Sequence, residues 1–455
     1  MCFFVGLMTR LILVMVTFVL PWLLFEPGRC QGSQTQETAQ VQETILANGL
    51  KVLLLERHAS PVVTFQVWYR VGSRNEEDGK SGLSHFLEHM MFKGTATVGP
   101  EQYSRIIAKN GGSSNAFTMS DVTAYFATMS RDKIDVEIDL EADRMVNSIL
   151  DGGYFEQEKK VVMEERRLRT EDNPSAALGE VAEAVAYTEH PYRRPVVGWM
   201  GDIQKLSVED LRRHYRTYYS PNNAFIVAVG DFNAAGMLAK IKASFGKIPP
   251  GPTPPEVRVE EPPQKGERRV ILKKEAELPF IAIYYHTPNI KDPDSYVLDL
   301  LTVILAGGRS SRLYKDLVYE KHLAHSVDSD YGGLSIDSTI FSVTVQVMPG
   351  KNAAEVERTI DKLLDDVKSE PVSAREIEKA KNQVEAAFIF GQDSAFGQAM
   401  RIGNYESSAE WRLVDKYLEG IKRVTAADLL RVARKYLDPD QRTVGTLIPT
   451  QEKGQ

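Results

Sequence analysis

Cysteine is almost missing: of 455 residues only Cys2 and Cys30 carry a thiol, and both lie in the first thirty. With that segment removed, the mature chain has no disulfide, no thiolate metal site and no cysteine nucleophile. A transition-metal site must then be built from histidine and carboxylate. Positive charge is outnumbered. Lys and Arg number 55 against 62 Asp and Glu, a net charge of −7 without a long basic run. Nucleic-acid binding and attachment to a membrane through a basic face are therefore unsupported. The apolar stretch "LILVMVTFVLPWLLF", residues 11–25, falls short of the ~20 residues a spanning helix wants. Arg10 precedes it and polar "EPGRCQGSQTQE" follows. This reads as a secretory signal peptide over residues 1–30 with a polar linker at 31–42, and Met8 offers a second start. It implies export across an inner membrane to a periplasmic location. An uncleaved anchor at residues 11–25 is the alternative; Arg29 before Cys30 leaves no lipid-attachment motif.

Hydrophobic residues at 43% and charged residues at 26% describe an ordinary globular chain, long enough for two or three domains. The chain also repeats itself. "KVLLLERHASPVVTFQVWYRV" from Lys51 lies over "RVILKKEAELPFIAIYYHTPN" from Arg269, matching Val52 with Val270 and Pro61 with Pro279 at an offset of 218. "IQKLSVEDLRRHYRTYYSP" from Ile203 lies over "IKRVTAADLLRVARKYLDP" from Ile421 at the same offset, so the chain is a duplication. Proline-rich residues 248–266 read as a stiff linker. The expected domains are residues 43–247 and 267–450. In each, β-rich segments read as paired strands around a turn, long amphipathic helices follow, and a strand closes the half. Asn48-Gly49 marks the first hairpin turn. The fold class is α+β: two duplicated domains, each a mixed or antiparallel sheet with helices on one side.

In "SGLSHFLEHMMFKGT", residues 82–92 read as a helix with Leu83, Phe86, Leu87 and Met90 as its apolar stripe and Gly94 as its stop. His85 and His89 then share a face and can grip one Zn²⁺ at ~2.0–2.1 Å each. Glu88, beside them, is placed to take a proton from a water at the ion. A third ligand has to come from elsewhere. The acid-rich "YFEQEKKVVMEERRLRTED" puts Glu158 and Glu165 seven apart on one face, but spacing alone leaves Glu164 and Glu165 both open, and leaves a solvated charged helix as the plainer reading.

These motifs resemble the insulinase/pitrilysin family of inverted-motif zinc metallopeptidases, over almost the whole mature chain. The resemblance implies one Zn²⁺ per chain held by His85, His89 and Glu165, the last in "VVMEER" after 75 intervening residues. It implies Glu88 as general base, Glu158 as an acidic residue that assists catalysis, and two halves closing over the peptide as a clamshell. "GGSSNAFTMSDVTAYF" is similar to the family's edge strand that pairs with substrate, which makes Asn115 and Ala116 substrate contacts and the substrate a peptide or unfolded protein. "HPYRRPVVGWMGDI" from His190 is family-like and structural. The second copy places Val303, Ala306 and Gly307 where the motif would be, so it cannot bind this metal. The family's substrate-orienting Arg and Tyr fall on Val318 and His325. The resemblance therefore implies a homologous second subunit supplying that pair, the chain being the metal-bearing half of a heterodimer, or else a catalytically weak peptide-binding or assembly subunit. His322 and His325 read as surface or interface residues, and Arg312 as a packing or solvent-facing residue.

Overall fold

The computed structural model describes residues 40–450. The signal-peptide and anchor readings at residues 1–30 lie outside the described residues. Among the described residues, eleven strands are shared between two sheets. The first holds β1 (Gln42–Ile45), β2 (Lys51–Glu56), β3 (Val62–Tyr69), β4 (Ser113–Thr118), β5 (Thr123–Ser130) and β6 (Ala224–Gly230), in the order β1-β2-β6-β3-β5-β4. The second holds β7 (Arg268–Glu275), β8 (Phe280–Thr287), β9 (Ala324–Tyr331), β10 (Thr339–Val347) and β11 (Arg442–Thr450), in the order β7-β11-β8-β10-β9. Without β1 the two orders are the same, as a duplication requires.

β1 and β2 form the expected hairpin; Gly49, at φ 87°, closes a turn in which its N–H donates to Leu46 O. One expectation is corrected. β2 and β3 do not pair with each other: β6, from the far end of the half, lies between them, parallel to β2 and antiparallel to β3. β11 takes the same place between β7 and β8. All seven residues of β6 are buried, which suits a strand hemmed in on both edges and both faces.

Each sheet carries its own half's helices on one face. Val63, Phe65, Val67 and Tyr69 of β3 enter the first core, and Ile281, Ile283 and Tyr285 of β8 enter the second. The other faces are covered reciprocally. The helix Pro174–Ala186 of the first half lays Leu178 and Ala182 on Ala282, Tyr284 and Leu447 of the second sheet. The helix Ala395–Ser408 of the second half brings Gly403 against the Trp68 indole, which stacks on Phe225 at 5.7 Å. Glu406 of that helix, 1% exposed, accepts from Lys51 Nζ at 2.7 Å and Arg70 Nη2 at 2.6 Å. Between the halves, residues 249–267 form neither helix nor strand.

Candidate metal centre

The motif helix is Leu83–Met90, and its apolar stripe is buried as the spacing predicts. It ends at Met90, before Gly94; Gly94, at φ 101°, instead turns the chain towards a bridge between Thr95 and Ser148. Its start is fixed twice. Gly82, at φ 91°, packs so tightly on Gly198 that a Cβ on Gly82 would meet Val197 O at 2.4 Å, which gives the "VVGW" stretch its structural role. The Glu76 carboxylate then accepts from Gly82 N–H and Ser84 N–H, both at 2.7 Å, two of the donors a helix start leaves free. Burial pushes Glu76 up to about 8 against the opposing pull of those backbone bonds.

The second helix, Gly152–Arg166, is capped by Asp151, which accepts from Gly153 N–H and Tyr154 N–H. Phe155 stacks on Phe86 at 4.7 Å, and this contact sets the spacing of the two helices. Positions 155, 158, 162 and 165 run down the inner side, so Glu158 and Glu165 face the histidines. Glu164 points outward, half exposed, and pairs with Arg167.

His85, His89 and Glu165 each bring one ligand-type atom within 4.8 Å of the others. His89 Nε2 lies 3.1 Å from Glu165 Oε2, and His85 Nε2 lies 3.6 Å from Glu165 Oε1. Two imidazole nitrogens and a carboxylate are zinc's usual donors, and tetrahedral bonds of ~2.05 Å would separate ligand atoms by roughly 3.3 Å. The residues present therefore fit a zinc ion. His89 Nδ1 faces Glu158 Oε1 at 2.9 Å, and Lys93 Nζ holds the other Glu158 oxygen at 2.6 Å. Burial, which lowers the His89 pKa, is outweighed by the hydrogen bonds and charges of Glu158 and Glu165, and the imidazole rises to about 9. The hydrogen bonds from His85 and His89 hold Glu165 well below the usual carboxylate range.

Glu88 stands apart from the triad. Its Oε2 accepts from Thr118 Oγ1 at 2.6 Å. Thr118 ends β4, which among the described residues pairs only with β5 and is one edge of the first sheet. Asn115 on β4 is exposed, its Oδ1 accepting from Ala116 N–H at 2.9 Å, and Ala116 packs against the first core. The sequence reading passed over Lys93, Thr118 and Arg169, whose Nη1 lies 2.8 Å from Glu165 Oε1. Only Lys93 left a signal, four residues after His89 in the next turn of the chain.

In the second half, Val318 packs against the core and His325 is exposed on β9. Arg312 is neither free in solvent nor simply packed: its Nε and Nη2 clasp Glu376 at 2.9 and 3.1 Å. Glu376 and Gln383 lie 218 residues after Glu158 and Glu165.

A two-sheet duplicated chain with two histidines and a carboxylate converging in one half defines a class of two-half proteins with a side-chain cluster fit to hold a metal ion. Residues 51–198 match the family described as insulinase (peptidase family M16), and residues 205–384 match the peptidase M16 inactive domain. The zinc protease PqqE of Helicobacter pylori is 32% identical over 90% of this chain and 93% of its own. A crystal structure of a protease from Helicobacter pylori superposes with a TM-score of 0.88 at 32% identity, covering 90% of this chain and all of that one. The periplasmic protease PqqL from Escherichia coli shares the fold at a TM-score of 0.75 and 18% identity, with 90% of this chain matching 48% of it. The chain belongs to the M16 family of peptidases.

Proposed function

We propose that the chain is a zinc-dependent endopeptidase acting on peptides or extended protein segments, as the metal-bearing subunit of a heterodimer. The convergence of His85, His89 and Glu165 within 4.8 Å supports this above all. These three would hold one zinc, which supplies Lewis acidity that polarises the scissile carbonyl and makes an attacking water acidic near neutral pH. Glu88 takes that water's proton and delivers it to the leaving amine. Its Thr118 hydrogen bond aims the carboxylate without using the second oxygen. Glu158 orients His89 through Nδ1. Asn115 and Ala116 bind substrate as a strand added to the free edge of β4.

Val318 has no donor in place of the arginine and His325 offers an imidazole in place of the tyrosine hydroxyl, so a homologous subunit supplies the pair. The fold likeness to a protein about twice as long is consistent with a working unit of two such chains. That neighbour is named periplasmic, and the signal-like N-terminus of this chain points the same way. Among the described residues no helix is long and apolar enough to cross a membrane. The same Val318 favours a second reading, a peptide-binding or assembly subunit with little turnover. Glu88→Gln decides between them: a variant that keeps stoichiometric zinc and loses hydrolysis supports the peptidase, whereas the same low activity in both proteins, with or without a co-purified partner, supports the assembly subunit.

A further inference from the structure

The half without the metal reaches into the half that has the triad. The β9–β10 connection, residues 332–338, is braced on its own side: Ile336 O accepts from Asn289 Nδ2 at 2.6 Å and Lys291 Nζ at 3.2 Å, and Gly333 O from Ile290 N–H at 2.9 Å. From that base its tip projects across the interface. Ile336 N–H donates to Asp121 Oδ2 at 3.0 Å, and the same oxygen accepts from Tyr192 OH at 2.7 Å. Asp337 Oδ2 pairs with Arg74 Nη2 at 2.6 Å and faces His190 Nε2 at 3.1 Å. Arg74, Asp121, His190 and Tyr192 are each at most 9% exposed. The Asp337 side chain, 35% exposed, joins these four buried residues from the rim, and its loss would leave Arg74 and His190 short of a partner in a largely buried network.

Two links run from this junction to the motif helix. Arg74 N–H donates to Ser120 O at 2.9 Å and Ser73 N–H to Met119 O at 3.2 Å, fixing the turn that follows Thr118, the residue that holds Glu88. Two residues after Arg74, Glu76 accepts from the first N–H groups of the motif helix. We propose that the tip of the β9–β10 connection is a positioning element for the proposed active site, with Asp337 as a positioning residue that acts on Glu88 and the start of the motif helix through Arg74. The second half thus contributes to catalysis without touching metal or substrate. This rests on the peptidase reading for its kinetic consequence and on geometry alone for its mechanical one.

The test is amide hydrogen exchange and steady-state peptide hydrolysis on Asp337→Ala, Asp337→Asn and Tyr192→Phe in the full chain. For Asp337→Ala we expect exchange at residues 82–90 and 118–122 to rise roughly tenfold, with residues 281–285 of the second sheet unchanged. We expect kcat to fall by roughly ten- to a hundredfold while KM moves by less than about threefold. Asp337→Asn, which keeps an acceptor for Arg74, recovers part of the loss, and Tyr192→Phe repeats the exchange pattern more weakly. Unchanged exchange at residues 82–90 in both Asp337→Ala and Tyr192→Phe overturns the proposal, as does an equal rise in both halves. The exchange readout stands even if the wild-type chain hydrolyses nothing, so failure of the peptidase reading is seen separately.

Discussion

Replacing Glu158 by glutamine tests whether this residue works through His89. One Glu158 oxygen faces His89 Nδ1 at 2.9 Å and the other holds Lys93 Nζ at 2.6 Å, on a side chain only 8% exposed. A carboxylate on Nδ1 keeps the proton on that nitrogen and leaves the Nε2 lone pair free for the proposed zinc ion. Glutamine has one acceptor where two are needed. If its oxygen faces His89, its NH₂ opposes the Lys93 ammonium; turned round, it opposes Nδ1–H. Either way a bond is lost in a dry site, together with the charge that makes the imidazole a better donor. Loss of such an outer partner weakens metal binding by roughly 10–100-fold, which is about 1.4–2.7 kcal/mol. The assay is competition for zinc against a chromogenic chelator at neutral pH, with urea unfolding of both proteins as the control. A variant that binds zinc within about twofold of wild type and unfolds at the same midpoint would refute the orienting role. Lowered kcat at unchanged zinc affinity would place Glu158 in turnover instead.

Gly403→Ala should destabilise, against helix propensity. Alanine in a helix interior gains about 1 kcal/mol over glycine, but the new Cβ would lie 2.2 Å from Trp68 Cζ2, an indole with no exposed surface stacked on Phe225. Overpacking of that kind costs about 1–3 kcal/mol or more, so the urea midpoint falls; a rise would refute the packing argument. His214 predicts an acid-sensitive step. Burial holds its folded pKa down at about 3 against an ordinary 6.5, so the unfolded chain binds the extra proton between those values. Its contribution to stability is therefore present above pH ~6.5 and is lost as pH falls towards 3, with a slope of up to about 1.4 kcal/mol per pH unit. His214→Gln should flatten unfolding free energy against pH by about one proton across this window; an unchanged slope would show that His214 does not titrate there.

Helix periodicity and the duplication were legible because both are local or repeat at a fixed offset. The insertion of β6 between β2 and β3 was not, since strand pairing over so long a separation leaves no mark in either segment. "VVTFQVWY" carries Trp68 on the face opposite Phe65 and Val67, which marks a cover on the second face but says nothing of the strand at its edge. The choice of Glu165 over Glu164 was not legible from spacing, and it is the packing of the helix that separates the two. Phe155 and Val162 are the buried apolar positions of their helix, and Glu158 and Glu165 fall on the same heptad stripe, whereas Val161, Glu164 and Leu168 share the exposed side. Thr118 and Arg74 could not be found from sequence, because Thr118 meets Glu88 only where β4 packs beside the motif helix and Arg74 meets Asp337 only where a hairpin tip of the second half reaches the first.

The exchange of helices bears on whether the first half can stand alone. The helix Gly152–Arg166 runs through a π-helical turn at Arg167–Glu171 into Pro174–Ala186, the helix seated on the second sheet, so the end that carries Glu165 is anchored in the other half. In return, Ala395–Ser408 covers Trp68, Phe225, Val227 and Val229, none with exposed surface. Cutting the chain to residues 43–247 would strip that cover, and the Trp and Phe alone each present about 150–250 Å². A fragment with an apolar face beyond a few hundred Å² does not stay monomeric. It should associate or lose cooperative unfolding, and it should bind zinc more weakly than the full chain because Glu165 has lost its anchor. Light scattering, urea unfolding and zinc competition on the fragment check this. A monomeric fragment that unfolds in one step and binds zinc as tightly as the full chain would show that the second half contributes nothing to the geometry of the first.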